Sequence, residues 1–313
     1  MNSMSLSIIV PFYSVERYIS ECLDSIYRQD ISEQEYEVIC VDDCSPDRSL
    51  SIVESYASLH DNLKIIRNTI NRKLGGARNA GLEVASGKYI MYIDSDDFIE
   101  DNVLGTLCDI AEKNDLDVLH FDYENYPISD KLRKIPSTMV TSGPDLFFDD
   151  QFIWYHDFIT AWRKLYRRDF LIENKIAFAE HIMYEDNDYA IMVFAQASRV
   201  RHIQLNAYHY RNNPESITRI QYNAMHISYW MDLCHRLATL RRRFIREQKD
   251  ERFQVMLEGF IRDKLHQLLS TYALLIGEEK KSAQKTIRSG IDSSLRPYVS
   301  KRTYYKLKLG IIN

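Results

Sequence analysis

The sequence is poor in the two residues that punctuate irregular chains, with only ten glycines and seven prolines among its 313 positions. That scarcity excludes collagen-like, low-complexity and strongly disordered architectures. Cysteine is sparse too. Five are scattered through the chain (Cys22, Cys40, Cys44, Cys108 and Cys234), with no CxxC pair and no accompanying histidine spacing. Their odd number and scatter argue against a zinc site and for reduced thiols. No apolar stretch approaches the ~20 residues of a membrane-crossing helix. Near the start only residues 6–11 are apolar, with no cationic segment before them, which is too short for a signal peptide. Cytoplasmic work is therefore expected. Nor is positive charge in excess: a net charge of −5 creates no polyanion-binding field, so nucleic acid is not an expected partner.

What the chain does have is the balance of a folded globular protein, 45% hydrophobic and 27% charged. Its length suffices for one large domain and a smaller appendage. Tyrosine is abundant, at 21, which suits stacking on sugars or bases and suits a packed core equally. Short apolar runs at 6–10, 37–41, 63–66, 89–93 and 118–121 alternate with helical patterns at 16–28, 48–60, 74–85 and 102–114. The runs read as strands buried on both faces. Tyr18, Ile19, Cys22, Ile26 and Tyr27 share one helical stripe, and Ser45-Pro46-Asp47 and Asp101 are helix start signals. Alternation of this kind predicts βαβ units, hence an α/β fold with an open, mainly parallel sheet flanked by helices. Residues 126–150 read as a polar surface excursion, 154–196 as aromatic and mostly helical, and 200–210 as one more strand. From Met225 onward only helices are expected. The boundary is placed near Tyr222, dividing the chain into 1–222 and a C-terminal helical extension, 223–313.

Open α/β sheets bind ligands at the carboxyl ends of their strands. After the first expected strand comes Pro11-Phe12-Tyr13-Ser14, after the second Asp42-Asp43, and after the fourth Asp94-Ser95-Asp96-Asp97. Acidic residues collected at one sheet edge repel one another unless something cationic or hydrogen-bonding joins them. Asp94 and Asp96 are spaced to share a hard cation, Mg²⁺ or Mn²⁺, together with substrate phosphates. Two other phosphate cradles are absent. No G-x-G-x-x-G follows the first strand, and Gly75-Gly76 lack the Gly-Lys-Ser/Thr ending of a P-loop.

The segments Leu6-Ser7-Ile8-Ile9-Val10-Pro11-Phe12-Tyr13, Val41-Asp42-Asp43-Cys44-Ser45-Pro46-Asp47, Gly76-Ala77-Arg78-Asn79-Ala80-Gly81-Leu82 and Tyr92-Ile93-Asp94-Ser95-Asp96-Asp97 occur in that order. Together they resemble family 2 glycosyltransferases, the inverting group with the GT-A fold, over roughly residues 5–219. The resemblance implies a GT-A-like catalytic domain over 1–222 that binds nucleotide sugar and acceptor. It implies that Pro11 and Tyr13 border the base, with Tyr13 stacking on it, that Asp43 accepts a hydrogen bond from it, and that Asp42 supports that turn or the ribose. Arg78 and Asn79 fall where the family's loop approaches the nucleotide. Asp94, with Ser95, would bind ribose or metal, and Asp96 would be the main ligand of the Mn²⁺ or Mg²⁺.

Inverting transfer also needs a base for the acceptor hydroxyl. Glu185-Asp186, within Met183-Tyr184-Glu185-Asp186-Asn187-Asp188-Tyr189, resembles the family's "ED" motif. Asp186 is assigned as base, with Glu185 orienting it or binding the acceptor, and Asp188 as the fallback. Adjacent carboxylates raise one another's pKa, although acidic residues are also favoured in any helix's first turn. His209 and Arg211, in the segment 207–218, match a loop that closes over the diphosphate; Arg211 would pair with phosphate and His209 would be a third metal ligand. Trp162 and Lys164 match a segment on the acceptor side. The sequence departs from the family at Ser14, where Asn is common, and at Cys44, where Gly is common, which bears on the shape of the base pocket.

Two basic clusters mark the C-terminal region: Arg241, Arg242, Arg243, Arg246, Lys249 and Arg252, then Arg296, Lys301, Arg302, Lys306 and Lys308. They read as solvated helix faces paired with Glu247, Asp250, Glu251 and Glu258, or as a peripheral contact with anionic lipid. The apolar stripe in 253–276 reads as a helix contact or a homodimer contact. The expected function is transfer of a sugar, most naturally from a UDP-sugar, to a saccharide or lipid-linked saccharide acceptor in surface polysaccharide synthesis. A non-catalytic nucleotide-sugar-binding module and a sugar nucleotidyltransferase are the alternatives. The intact Asp94, Asp96 and Asp186 speak against the first, and the lack of a Gly-rich basic loop after the first strand speaks against the second.

Overall fold

A computed structural model describes residues 4–127, 134–153, 157–213 and 223–309. The chain separates into two compact units, 1–214 and 215–313. The boundary expected at Tyr222 lies outside the described residues, as do residues 214–219 of the motif-bearing segment.

The first unit is built on β1 (Leu6–Phe12), β2 (Tyr36–Asp42), β3 (Leu63–Arg67) and β4 (Tyr89–Tyr92), all parallel where they pair. Every residue of β1 and β2 is buried, which is why both read as continuous apolar runs rather than alternating ones. The polar exceptions meet each other: Ser7 stands opposite Glu37 in register and its hydroxyl donates to Glu37 Oε1 at 2.6 Å. Helices α1 (Ile19–Ile26), α2 (Ser49–Ala57) and α3 (Lys73–Val84) make the crossovers. In α1 the buried residues are Ile19, Cys22, Leu23, Ser25 and Ile26, the stripe that the helical period requires.

Beyond β4 the sheet becomes mixed. After β5 (Phe98–Ile99) and α4 (Leu104–Lys113) come β6 (Val118–Tyr126), α5 (Gly143–Phe147), β7 (Lys164–Arg167), α6 (Arg168–Glu173), α7 (Glu185–Phe194) and β8 (Val200–Arg211). The order of the eight strands is β3-β2-β1-β4-β7-β6-β8-β5. β7 runs antiparallel to both β4 and β6, and β5 runs antiparallel to β8. β6 and β8 pair in parallel again, so among the described strands the parallel pairings expected from the βαβ alternation outnumber the antiparallel ones. Residues 154–196 are not mostly helical. They contain β7, whose four residues Lys-Leu-Tyr-Arg carry no β-branched signal and owe their conformation to the strands on either side.

The second unit is helical. Asn223 caps α8 (Ala224–Arg246), accepting from the backbone N–H of Met225 and His226, while its own N–H donates to the His226 ring. Asp250 caps α9 (Glu251–Leu274), followed by α10 (Gly277–Gly290) and α11 (Lys301–Leu309). Ile227, Trp230, Cys234, Leu237 and Phe244 are buried on α8, as are Phe253, Leu257, Ile261, Leu265 and Leu268 on α9. The core-facing stripe of α9 is therefore buried in the chain itself, while Val255, Leu274 and Ile276 stay exposed. In the first basic cluster, Arg241 pairs with Glu258 (2.7 Å), Arg243 with Glu247 (2.9 Å) and Arg252 with Asp250 (2.7 Å). No helix among the described residues is long and apolar enough to cross a membrane.

Candidate active site

Strand order reverses at β1: β2 and β3 lie on one side of it and β4 on the other. The loops leaving the carboxyl ends of β1 and β4 consequently part around a crevice, the usual ligand position in such sheets. Proline is tolerated in β1 for a local reason. β4 pairs only with Leu6–Ile9, and the Ile9 carbonyl accepts from Ile93 N on that side. Two residues on, Pro11 faces the same way beyond the end of β4, where no N–H is required. Tyr13 follows, an aromatic ring half in solvent at 50% exposure.

At the end of β2, Asp42 Oδ1 accepts from Ser45 N at 2.8 Å and caps its own turn. Asp43 is buried; its Oδ1 accepts from Asn68 Nδ2 and from Arg72 N, both at 2.8 Å. Asp43 so fixes the entry to α3 against the end of β2.

β4 leads into Asp94-Ser95-Asp96-Asp97. The Tyr208 hydroxyl accepts from Asp94 N at 3.1 Å and donates to Asp97 Oδ2 at 2.7 Å, while Asp97 Oδ1 accepts from Arg211 N at 2.7 Å. Burial, with the charges of Asp96 and Asp94, pushes the Asp97 carboxyl well up. Asp97 is thus the internal pin of the turn, and Asp94 and Asp96 are its more accessible pair; Ser95 is buried beneath them. Asp96 Oδ2 accepts from Asn213 Nδ2 at 3.0 Å. Its pKa is raised, mainly by burial and further by the charge of Asp94. Two neighbouring carboxylates at the mouth of the crevice suit a hard divalent cation, whose usual protein share is one or two carboxylates beside substrate phosphates. Among the described residues no group of three His, Cys, Asp or Glu forms a ready-made cage.

His209 does not join that pair. It stacks on Phe98 at 4.6 Å and lies 2.8 Å from Glu100 Oε2. The third-ligand expectation for His209 is corrected accordingly. Arg211 does reach the acidic turn: its Nε donates to the Asp96 carbonyl at 2.8 Å and its Nη2 to Glu21 Oε2 at 2.6 Å. The rings of Tyr18, Phe98 and Tyr126 surround its guanidinium at 5.2–5.3 Å.

The acceptor-side motif opens α7. Its N-cap residue, Tyr184, has φ +62°, a costly conformation for a bulky side chain and one found where a site is held in place. Glu185 is buried; Asp186 is reachable from solvent yet deeply set, and Asn187 Nδ2 donates to its Oδ1 at 3.0 Å. Burial pushes the Asp186 carboxyl up, the neighbouring charge of Glu185 adds to the effect, and Arg78 opposes it. Arg78 joins this motif to the end of β4. Its Nη1 donates to Glu185 Oε1 at 2.8 Å and its Nη2 to Asp94 Oδ1 at 2.7 Å.

Four expected contacts look different in three dimensions. Arg78 is only 2% exposed, so it lies beneath the crevice and not on its wall. Asn79 donates to the Phe178 carbonyl and to Glu180 Oε1, both at 2.9 Å, and accepts from Phe178 N. It secures the approach to α7, because the face of α3 that carries it packs on 178–180. Trp162 is buried, stacked on Tyr208 and Tyr210 at 4.4 and 5.6 Å. Lys164 is fully buried and its Nζ donates to the Thr160 carbonyl. Neither presents a free face to an acceptor, since both belong to the interior of the mixed half of the sheet. Sequence reasoning missed Tyr208 and Asn213 as partners of the acidic turn, Asp97 as its internal pin, and Glu21 as the partner of Arg211. For Tyr208 the signal was present, as a tyrosine two positions from Tyr210 on an expected strand.

The sequence profile of the Glycosyl transferase family 2 matches residues 7–175. EpsJ of Bacillus subtilis, an uncharacterized glycosyltransferase, is 36% identical over 228 residues, covering 69% of this chain and 64% of EpsJ. The poly(ribitol-phosphate) beta-N-acetylglucosaminyltransferase TarS of Staphylococcus aureus is 33% identical over 215 residues, 68% of this chain and 36% of TarS. The chain thus spans less than two thirds of the length of these curated relatives. Among solved structures, residues 1–349 of S. aureus TarS in complex with UDP-GlcNAc superpose with a TM-score of 0.71 at 20% identity, covering 99% of this chain and 88% of that one. The mannosyltransferase PcManGT of Pyrobaculum calidifontis, in complex with GDP-Man and Mn²⁺, superposes with a TM-score of 0.55 at 18% identity, covering 98% of this chain and 84% of that one. At these identities the structural likeness is one of fold, and it bears out the GT-A-like sheet with a helical C-terminal region.

Proposed function

The chain belongs to glycosyl transferase family 2, and from that premise we propose that it transfers a sugar from a nucleotide-diphosphate sugar to an acceptor hydroxyl, with inversion, in surface polysaccharide synthesis. The observation that carries this reading is the Asp94–Arg78–Glu185 bridge, which sets the carboxylates of the donor-side turn beside those that open α7. A donor bound over the first group and an acceptor hydroxyl held at the second would meet between them.

In this reading Tyr13 offers its exposed face to the base and Asp43 accepts from it. Arg211 exchanges Glu21 for the diphosphate, a planar fork suited to phosphate oxygens. The Asp186 carboxylate accepts the proton of the acceptor hydroxyl as that oxygen bonds to the anomeric carbon. On the opposite face the bond from that carbon to the diphosphate oxygen breaks, and the electron pair leaves with the nucleoside diphosphate. When bound by Asp96 and Asp94, Mn²⁺ or Mg²⁺ supplies positive charge to that leaving group. The UDP-GlcNAc complex of TarS favours a UDP-sugar as donor, and the Mn²⁺ complex of PcManGT favours a divalent ion. The acceptor is a saccharide, free or lipid-linked.

Incubation of the purified chain with a panel of UDP-sugars and Mn²⁺, followed by UDP release, tests the reading. One or more sugars should be turned over, and Asp186→Asn should lower that turnover by about 10²–10⁴-fold while leaving UDP affinity intact. Turnover that survives in Asp186→Asn contradicts the assignment of the base.

A further inference from the structure

We propose that Arg78 is a positioning residue, which fixes the carboxylates at the head of α7 against the donor-side Asp94 and does not itself touch the donor. This rests on the glycosyltransferase reading given above. Both terminal nitrogens of Arg78 are committed, Nη1 to Glu185 and Nη2 to Asp94, and the guanidinium carbon sits 5.1 Å over the Phe178 ring. With 2% of its surface exposed, the side chain has no route to a phosphate in the crevice.

The helix that carries Arg78 is itself tied to residues 178–180 at three points. Asn79 bonds both the N–H and the carbonyl of Phe178. Arg72 pairs with Glu180 at 2.6 Å. Gly75 lies so close to the same segment that a Cβ on it would stand 2.2 Å from the Ala179 carbonyl oxygen. Arg78 is thereby a rigid fork on a fixed base. One prong locates Asp94; the other locates Glu185, and with it the first turn of α7, where Asp186 is the next residue. A planar guanidinium holds two carboxylates at a set separation, which an ammonium on a flexible stem does not. Loss of the fork should therefore misplace the base relative to the donor, and misplacement on the scale of 1 Å costs about a hundredfold in rate.

Arg78→Lys in the full chain separates positioning from donor binding. UDP affinity, measured calorimetrically with Mn²⁺, should stay within about threefold of the unaltered chain, a change below 1 kcal/mol. The kcat for whichever UDP-sugar the unaltered chain turns over should fall about a hundredfold at nearly constant donor KM. Glu185→Gln should show the same split, and the double variant should be no slower than Arg78→Lys alone, because the two residues act through one contact. A fall of roughly tenfold or more in UDP affinity, with kcat at saturating donor retained, would make Arg78 a donor ligand and overturn the proposal. Multiplying losses in the double variant would overturn it as well. Should Arg78→Lys fail to fold, Glu185→Gln decides alone: lowered kcat at unchanged UDP affinity supports the proposal, and full turnover overturns it. If the unaltered chain bound no nucleotide, the glycosyltransferase reading itself would fall, an outcome distinct from all of these.

Discussion

Ser14 and Cys44 take φ values of +57° and +68°, a left-handed conformation that costs an ordinary side chain roughly 1–2 kcal/mol. Ser14 follows β1 and Cys44 follows β2, and both are places where the family commonly carries Asn or Gly, the two residues that enter this conformation most readily. The chain therefore tolerates local strain beside the proposed base pocket. Cys44→Gly should relieve it and stabilise the fold by about 0.5–1 kcal/mol, read as a rise of a few degrees in the melting midpoint; an unchanged or lowered midpoint would contradict the strain. Asp186 carries a second consequence at this scale. Because burial and Glu185 raise its pKa, the base ionises above the ordinary carboxylate range, near 3.9 for Asp. Turnover should then climb through an acidic limb displaced to higher pH. For stability the sign is opposite. Between the unfolded and the folded pKa the folded chain holds a proton that the unfolded chain has released, so stability falls as pH rises through that interval. Asp186→Asn should accordingly stabilise the fold more at pH 8 than at pH 4, and an equal effect at both would contradict the shift.

Among the elements, β1 and β2 depend on one buried acid. Glu37 Oε1 accepts from the Ser7 hydroxyl and from both the N–H and the hydroxyl of Ser86, and Oε2 pairs with Lys64 at 2.7 Å. Burial works against its charge, but these donors outweigh burial and bring its pKa down to about 2. The stabilisation is thus present above the unfolded pKa, near 4.3, and is lost as pH falls through about 2. Glu37→Ala should cost about 2–4 kcal/mol at neutral pH, measured by denaturant unfolding, and less at pH 3; a pH-independent loss would point to packing alone. The first four strands and their helices were legible in the sequence: β1 and β2, buried on both faces, leave runs rich in Val and Ile, and β3 and β4 are short apolar runs that alternate with helical patterns. β5 and β7 were not. Phe98–Ile99 and Lys164–Arg167 are too short to show a period, and neighbouring strands impose their conformation. The same limit applied to the site. Tyr13, Asp94, Asp96 and Asp186 stood out by residue type and position, whereas Arg78 between Asp94 and Glu185, or Tyr208 under Asp97, depends on contacts that only the folded sheet creates.

At the scale of the whole molecule, every side chain assigned here to nucleotide, metal or base lies in the first compact unit. The second unit has its own buried stripes on α8 and α9 and carries the basic residues of α11. Donor recognition is thereby expected of the α/β unit. Its direct test is calorimetric titration of the purified chain with UDP, and with GDP as comparator, each with and without Mn²⁺. Metal-dependent binding of UDP in preference to GDP, lost in Asp96→Ala, is the expected result. Failure of either nucleotide to bind under any of these conditions would contradict the assignment of the crevice between β1 and β4 as a donor site.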